Sequence, residues 1–549
     1  MSARVTRHFI SLPGGRRVHY RRCGAGPVVM LLHGSPQWSG ACVPFMDVLA
    51  KRGFCAIAPD TPGNGCSDPL PGETPTIDEY AHALGELVDG LGLGRISLYG
   101  FHTGAAIAAT YAANNPARVA SSVLEGLPAW TTQERALLLA DYLPRFEPKW
   151  DGSHLAWLWA RLEEQTIFFP WHTPSAAARM KYTDLSPADI DVNVTEFLRA
   201  GDNYRAPYHA AFVFRGEDVA PRLKGPALIT ARDGDPLLAH IARLPETVVG
   251  VTKMPLERDF FAALDRYMAF FGDNKGDLAP PIPAGDDGFT DLGASQLHRS
   301  GSTTGDGRPL ILLHDPAGSS RFFAPVIDGL SAQRPSLAYD LPGFGESGDD
   351  FPGTIDTVEE FADVIEAAIR AEGFEAPAVA GFNLGGQIAI ELKRRGVAGM
   401  AGIIGAPVFT EAERAERLAL YTPSIAPDWD GGYLLRAWRF MRAMALFHPW
   451  YKRDAAHALP GEPRLDPAIL HRRTVDLLKA GNRYQGSYAA FHSWDTAAGV
   501  AAAGEVTALR WAAYAQAGPE TELALGLSNM VALPAPIAGW ADALANWGR

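Results

Sequence analysis

Residues 98–108 read LYGFHTGAAIA, and residues 379–389 read VAGFNLGGQIA. Each is an apolar run that meets a glycine, carries one polar residue (His102 or Asn383), and resumes after a second glycine with small and apolar residues. Such a pattern reads as a strand turning sharply into a helix. The likeness extends outward in both directions. VVMLLHGSPQWSG (28–40) recurs as LILLHDPAGSSRF (310–322), and IAPDTPGNGCSD (57–68) as LAYDLPGFGESG (337–348). KWDGSHL (149–155) recurs as DWDGGYL (428–434), FFPWH (168–172) as FHPWY (447–451), and LRAGDNYRAPYHAAF (198–212) as LKAGNRYQGSYAAF (478–491). The shift stays at 279 to 281 residues throughout. This is a tandem duplication, not a short-period solenoid.

Half of 549 residues suits one complete α/β domain. The stretch GDNKGDLAPPIPAGDDG (272–288), rich in Gly, Pro and Asp, reads as the join. The expected domains are therefore 1–274 and 288–549, with a linker at 275–287. A net charge of −13 leaves no basic surplus for a nucleic-acid partner. The 47% hydrophobic and 20% charged fractions exclude a wholly disordered chain. All four cysteines, Cys23, Cys42, Cys55 and Cys66, fall in the first 66 residues without CxxC spacing, which argues against a disulfide framework or a zinc site. No signal-peptide core and no apolar run of about 18 residues is present, so a soluble, cytoplasmic protein without a membrane partner is expected.

Val28–Leu32, Phe54–Ala58 and Ile96–Tyr99 read as strands buried on both faces, with a helix at Ile77–Leu91 between the last two. Alternating buried strands and helices imply an α/β fold with an open, mostly parallel sheet flanked by helices. On these motifs each half resembles the α/β-hydrolase fold superfamily, and most of all its epoxide hydrolase and haloalkane dehalogenase branch. HGSPQWSG is similar to the oxyanion-hole loop after the third strand, and GFHTGA lies where that family has its nucleophile elbow. The resemblance implies a helical cap inserted after the sixth strand, at about 127–215 and again at about 407–494.

It also implies a Ser, Cys or Asp nucleophile where this chain has His102 and Asn383. An amide is not a useful nucleophile, and histidine is an uncommon covalent one. The family's acid has candidates in Glu125, after the sixth strand, and in Asp233 and Asp235, after the seventh. The late histidine is missing from VVGVTKMPLERDFFAAL and from LSNMVALPAPIAGW. In the second half Gly405 is read as the counterpart of Glu125, LRWAAYAQAGPETEL has no Asp, and Asp315 beside the oxyanion loop would repel a developing oxyanion. That degenerate half is expected to be inactive.

Two readings of the first half remain. In one, His102, oriented by Glu125 or Asp235, is a general base in a non-covalent hydrolysis or a lyase or isomerase step, with Ser35 and Thr103 at the oxyanion hole and no cofactor. The helix N-terminus disfavours a cationic ring by about 0.3–1 kcal/mol, which helps to keep it a base. In the other, the protein is a pseudo-hydrolase that binds a ligand or docks a partner. His33, Trp38, Trp159, Phe168, Trp171, Tyr204 and Tyr208 are the expected lining for a small, largely apolar carbonyl compound, and cap packing is the competing role for the aromatic members. His154, His172 and His209 offer no spaced carboxylates or thiols, so no metal site is expected. Asp60 and Asp340 are expected to bond loop amides. The two halves are expected to pair within the chain, as a fused dimer would.

Overall fold

A computed structural model of the protein describes residues 4–181, 185–246, 249–283, 288–331, 333–348, 350–351, 353–405, 408–511, 525–527 and 529–547. The first sheet consists of β1 (Val5–Ser11), β2 (Arg17–Cys23), β3 (Val28–Leu32), β4 (Cys55–Pro59), β5 (Ile96–Phe101), β6 (Val119–Glu125), β7 (Ala227–Arg232) and β8 (Val251–Leu256). Their spatial order is 1-2-4-3-5-6-7-8. β2 runs antiparallel to β1 and β4, and the other pairs are parallel. β3 and β4 are buried along their whole length, as their unbroken apolar runs require.

The second sheet repeats this with β9 (Phe289–Asp291), β10 (Gln296–Ser302), β11 (Leu310–Leu313), β12 (Ser336–Tyr339), β13 (Ala378–Phe382), β14 (Met400–Ile404), β15 (Thr507–Trp511) and β16 (Asn529–Leu533). The order of its strands is the same, and β10 is again antiparallel to both neighbours. Both copies are thus mostly parallel sheets flanked by helices.

Each copy inserts helices between its sixth and seventh strands. In the first they are Thr132–Asp141, Ser153–Ile167, Pro187–Ala200 and Arg205–Val213. In the second they are Glu411–Leu420, Gly432–Met444, Pro467–Ala480 and Tyr484–Ser493. The first cap helix opens on a reciprocal capping box in both copies, Thr131 with Glu134 and Thr410 with Glu413.

The chain divides into one unit of residues 1–147 and 157–287 and another of 148–156 and 288–549. Residues 148–156, expected in the first cap, thus belong to the second unit. There the Gly152 backbone lies so close to Trp438 that a Cβ would sit 2.6 Å from the ring. The expected linker also begins later than 275. Val28 N donates to Asp277 O (3.0 Å), Ala279 N to Gly26 O (2.9 Å), and Arg95 N to the Asp277 carboxylate (2.7 Å). Gly276 permits this docking, because a Cβ there would meet Arg95 O at 2.3 Å. Residues 284–287 of the linker, 407 at the start of the second cap, and 512–524, which hold most of LRWAAYAQAGPETEL, lie outside the described residues.

Candidate active site

β5 ends at Phe101 and the next helix starts at Thr103, so His102 makes the turn alone. Its φ of 50° and ψ of −107° are sparsely populated by non-glycine residues and cost about 1–3 kcal/mol. Two glycines allow so tight a path. A Cβ on Gly100 would lie 2.3 Å from Gly104 O, and one on Gly104 would lie 2.2 Å from Leu32 O. The His102 N–H donates to the Glu125 carbonyl at 2.9 Å, tying the turn to β6.

The His102 ring meets a carboxylate. Its Nε2 lies 2.9 Å from Oδ2 of Asp235, just past β7, and Oδ1 of Asp235 accepts the Leu237 N–H at 2.7 Å. Burial alone would raise the Asp235 carboxyl; the His102 ring, the Leu237 N–H and Arg232 outweigh it and hold the group below the usual carboxylate range. An ionised carboxylate only accepts, so Nε2 carries a hydrogen, and in the neutral ring Nδ1 presents its lone pair. No hydrogen bond to Nδ1 occurs among the described residues, and the His102 side chain is 31% exposed. The ring stacks on Phe101 with centroids 3.9 Å apart. Gly126 borders it so closely that a Cβ would come 2.3 Å from Cδ2.

Ser35 and Thr103 are also brought together. The Ser35 hydroxyl donates to Thr103 Oγ1 at 3.0 Å, joining the loop after β3 to the start of the elbow helix. As the first residue of that helix, Thr103 has an N–H without an intrahelical acceptor.

Several expected residues serve elsewhere. The Glu125 carboxylate does not reach the His102 ring. It is fully buried and accepts the Tyr99 hydroxyl (2.7 Å), the Tyr267 hydroxyl (2.9 Å) and Arg232 Nε (2.5 Å). His33 is a structural pin: its Nδ1 faces the Gly34 carbonyl (2.8 Å) and its Nε2 accepts the Thr61 N–H (3.0 Å). Burial lowers its pKa and keeps it neutral. Trp38 packs against Arg199 and Arg21, whose guanidinium carbons lie 3.9 and 4.6 Å from its ring centre. Asp233 pairs with Lys181 (2.8 Å), and Asp60 accepts amides from Ser39 and Cys66 as expected.

In the cap, Tyr142, Trp130, Leu138, Phe212 and Leu237 form a buried cluster on which Phe169, Trp171 and Tyr208 pack. Leu237 links this cluster to the Asp235 turn. Tyr204 is committed to the Pro144 carbonyl, Trp159 is buried, and Phe168 pairs with Arg179 in an isolated β-bridge. Arg161, which sequence reasoning missed, is 1% exposed and boxed by Tyr142, Trp171, Phe197 and Tyr204 at 5.1–5.6 Å. Its Nη1 donates to Gln165 (3.0 Å), while Nε and Nη2 are buried without an acceptor among the described residues. The repeat carried a signal for it: the matching position, 279 residues on, is Phe440.

The second unit keeps the same turn. Asn383 has φ 45° and ψ −108°, and its N–H donates to Ile404 O at 3.0 Å. Ile404, not Gly405, therefore corresponds to Glu125, and Gly405 (φ 68°) matches Gly126 (φ 67°). Its His314 repeats the pin, with Nε2 accepting Leu341 N–H at 2.9 Å. Burial raises the Asp315 carboxyl above its usual range, against the pull of Arg473 and His314. Among the described residues no group of three or more His, Cys, Asp or Glu is placed to hold a metal ion, and no helix is long and apolar enough to cross a membrane.

Sheet order, elbow and cap define an α/β hydrolase, twice over. Residues 27–244 match the alpha/beta hydrolase fold family model, and residues 310–545 match that of the alpha/beta hydrolase family. The chain belongs to this family, as two domains in tandem. Haloalkane dehalogenase 2 of Mycobacterium bovis is 36% identical over 121 residues, 22% of this chain and 42% of that protein. A 2-hydroxy-6-oxononadienedioate/2-hydroxy-6-oxononatrienedioate hydrolase of Dechloromonas aromatica is 30% identical over 129 residues, 22% of this chain and 45% of its own length. Each match thus spans less than half of the curated relative. Among solved structures, epoxide hydrolase A of Mycobacterium thermoresistibile aligns over 49% of this chain and 98% of its own, at 19% identity and a TM-score of 0.40.

Proposed function

We propose that the first unit is a cofactor-independent hydrolase, or a lyase or isomerase, acting on a small carbonyl compound with His102 as general base. The observation that carries this reading is the His102–Asp235 pair, Nε2 to Oδ2 at 2.9 Å, with Nδ1 free of protein partners among the described residues. Asp235 fixes the tautomer and favours the imidazolium that forms after proton capture. In hydrolysis, Nδ1 takes a proton from water as its oxygen bonds the carbonyl carbon. N–H groups at Ser35 and Thr103 hold the oxyanion, and the imidazolium returns its proton to the leaving group as the C–X bond breaks. For an acidic C–H compound the same nitrogen takes the carbon-bound proton, and the enolate replaces the oxyanion.

Arg161 offers an anchor for a polar or anionic end of the substrate, and the cap rings hold its apolar body. The dioate in the name of the Dechloromonas aromatica relative is a compound of that kind. The second unit is proposed to be inactive, since Asn383 is neither base nor nucleophile and Ile404 and Asp315 break the surrounding pattern.

The test is a screen of aryl esters, vinylogous diketones and α-proton exchange in D2O, with wild type, His102→Ala and Asp235→Asn. Loss of the same activity in both variants, with no covalent adduct by intact mass, is the expected result. Indistinguishable wild type and His102→Ala on every substrate would overturn the reading.

A further inference from the structure

The two caps differ where their shared framework makes comparison simple. The capping boxes align Thr131 with Thr410, and the bridges Phe168–Arg179 and Phe447–Ala458 align the Pro-Trp turns that follow. On that alignment Tyr142 matches Tyr421. The last cap helix is shifted by one further residue, since Tyr204 and Tyr484 donate to the carbonyls of Pro144 and Pro423. Tyr208 therefore matches Tyr488, and each packs on the preceding tyrosine. Leu138, Phe169 and Phe212, all apolar in the first unit, match Arg417, His448 and His492. Two members of one apolar cluster and a ring packed on it are basic side chains in the other copy.

These three side chains still converge. Arg417 Nη2 lies 3.2 Å from His448 Nε2. The Arg417 guanidinium carbon is 5.7 Å from the Tyr421 ring centre, and the His492 ring is 4.7 Å from it. Both also border Phe409, at 4.5 and 5.4 Å. Arg417 is 8% exposed and His492 1%. Arg417 Nη1, His448 Nδ1 and His492 Nε2 are all buried without a hydrogen-bond partner among the described residues. Two acids on the same helix have other hydrogen-bond partners: Glu413, whose charge also faces Arg417, accepts from Thr410 N (2.8 Å), and Glu416 accepts from Lys452 (2.8 Å). Asp315, a charge neighbour of Tyr421 and Tyr488, has Arg473 as its cationic neighbour.

Because His448 Nε2 accepts from arginine, its Nδ1 carries the hydrogen and is a donor. Burial, with Arg417 beside them, lowers His448 to about 4 and His492 to about 3, leaving both rings neutral and Arg417 as the one charge of the three. A buried cation with unused donors is costly unless an acceptor of opposite charge completes it. The first unit folds with Leu138 in the same place, so the fold does not need the charge. We propose that Arg417, His448 and His492 form a binding site for a small organic carboxylate. One cation matches a monoanion, two planar oxygens match the guanidinium and imidazole donors, and Phe409, Tyr421 and Tyr488 flank an apolar body. This site does not depend on catalysis in the first unit.

Calorimetry of the full chain with benzoate tests the proposal, using Arg417→Leu and His448→Phe. Both variants install the residue that the other copy already accommodates. The expected result is that Arg417→Leu lowers the benzoate equivalents bound per chain by one. His448→Phe weakens that equivalent at least tenfold, with melting temperatures kept at or above wild type. No benzoate binding to wild type, or binding indifferent to Arg417→Leu, would overturn it. Inorganic phosphate bound in preference to benzoate would overturn the carboxylate assignment.

Discussion

His102 Nε2 stands 2.9 Å from Asp235 Oδ2 although the two residues are 133 positions apart. The elbow after β5 and the turn after β7 place them together, at the ends of parallel strands separated only by β6. That relationship makes the ring a base with a fixed tautomer, and it sets the first expectation. Asp235→Asn keeps the side-chain shape but removes the acceptor-only carboxylate, so the ring is free to turn its hydrogen to Nδ1. We expect kcat/KM on any substrate found to fall about 10²–10⁴-fold, with an unchanged far-UV spectrum. Full activity in this variant would remove Asp235 from the mechanism.

Gly126 borders the same ring, with φ 67° and room for no side chain. Gly126→Ala should displace His102 and cost about 1–3 kcal/mol in stability. Activity should fall further than the stability loss accounts for. Parallel measurements of melting temperature and kcat/KM decide this.

Asp60 and Asp340 are buried carboxylates doing the same work in the two copies. Asp60 accepts Ser39 N (2.7 Å), Cys66 N (2.8 Å) and His19 Nδ1 (2.9 Å). Asp340 accepts Ser320 N (2.6 Å), Glu346 N (2.7 Å) and His298 Nδ1 (2.8 Å). Burial would raise both, but the paired histidines and these amides hold both far below the usual range. A depressed carboxyl stabilises the fold fully above its unfolded value near pH 4, and that contribution disappears as pH falls towards the folded value. Asp60→Ala and Asp340→Ala should therefore lose stability at pH 7 and show a shallower further loss between pH 4 and 2 than wild type. Chemical denaturation at a series of pH values measures both.

Glu196 has the opposite sign. Burial pushes its carboxyl up to about 8, with Arg199 opposing the shift. A raised carboxyl contributes most below its unfolded value near pH 4.5, and stability falls as pH rises towards 8. Glu196→Gln should melt close to wild type at pH 4.5 and above it at pH 8. Parallel melting curves at both values would refute the assignment.

Arg161 occupies a box of aromatic rings that holds Phe440 in the other copy, with Trp450 and Tyr484 at 5.1 and 5.9 Å from the Phe440 ring. Arg161→Phe should therefore preserve or raise the melting temperature. If Arg161 anchors a substrate's polar end, KM should rise at least tenfold. An unchanged KM would leave the cation without that role.

Much of the fold was legible because backbone demands write themselves into residue type. Gly100 and Gly104 announce the elbow through the close approach they permit, the buried strands announce themselves by unbroken apolar runs, and the duplication made each signal appear twice. The acid after β7 was within reach of the same reading, which placed Asp233 and Asp235 there and left Asp235 and Glu125 as the candidates to orient His102. Glu125 was equally eligible by position, but its carboxylate lies with Tyr99, Tyr267 and Arg232.

The sequence by itself determined two copies of one fold, the histidine at the elbow, and the asymmetry between the copies. Tertiary structure alone decided which carboxylate meets that histidine, that Gly405 is the partner of Gly126 rather than of Glu125, and that Arg417, His448 and His492 converge. The reason is physical. Secondary structure and sharp turns depend on local sterics, which single residues report. Side-chain meetings depend on strand register and on which face each residue takes, and a shift of one position sends a side chain to the opposite side of the sheet.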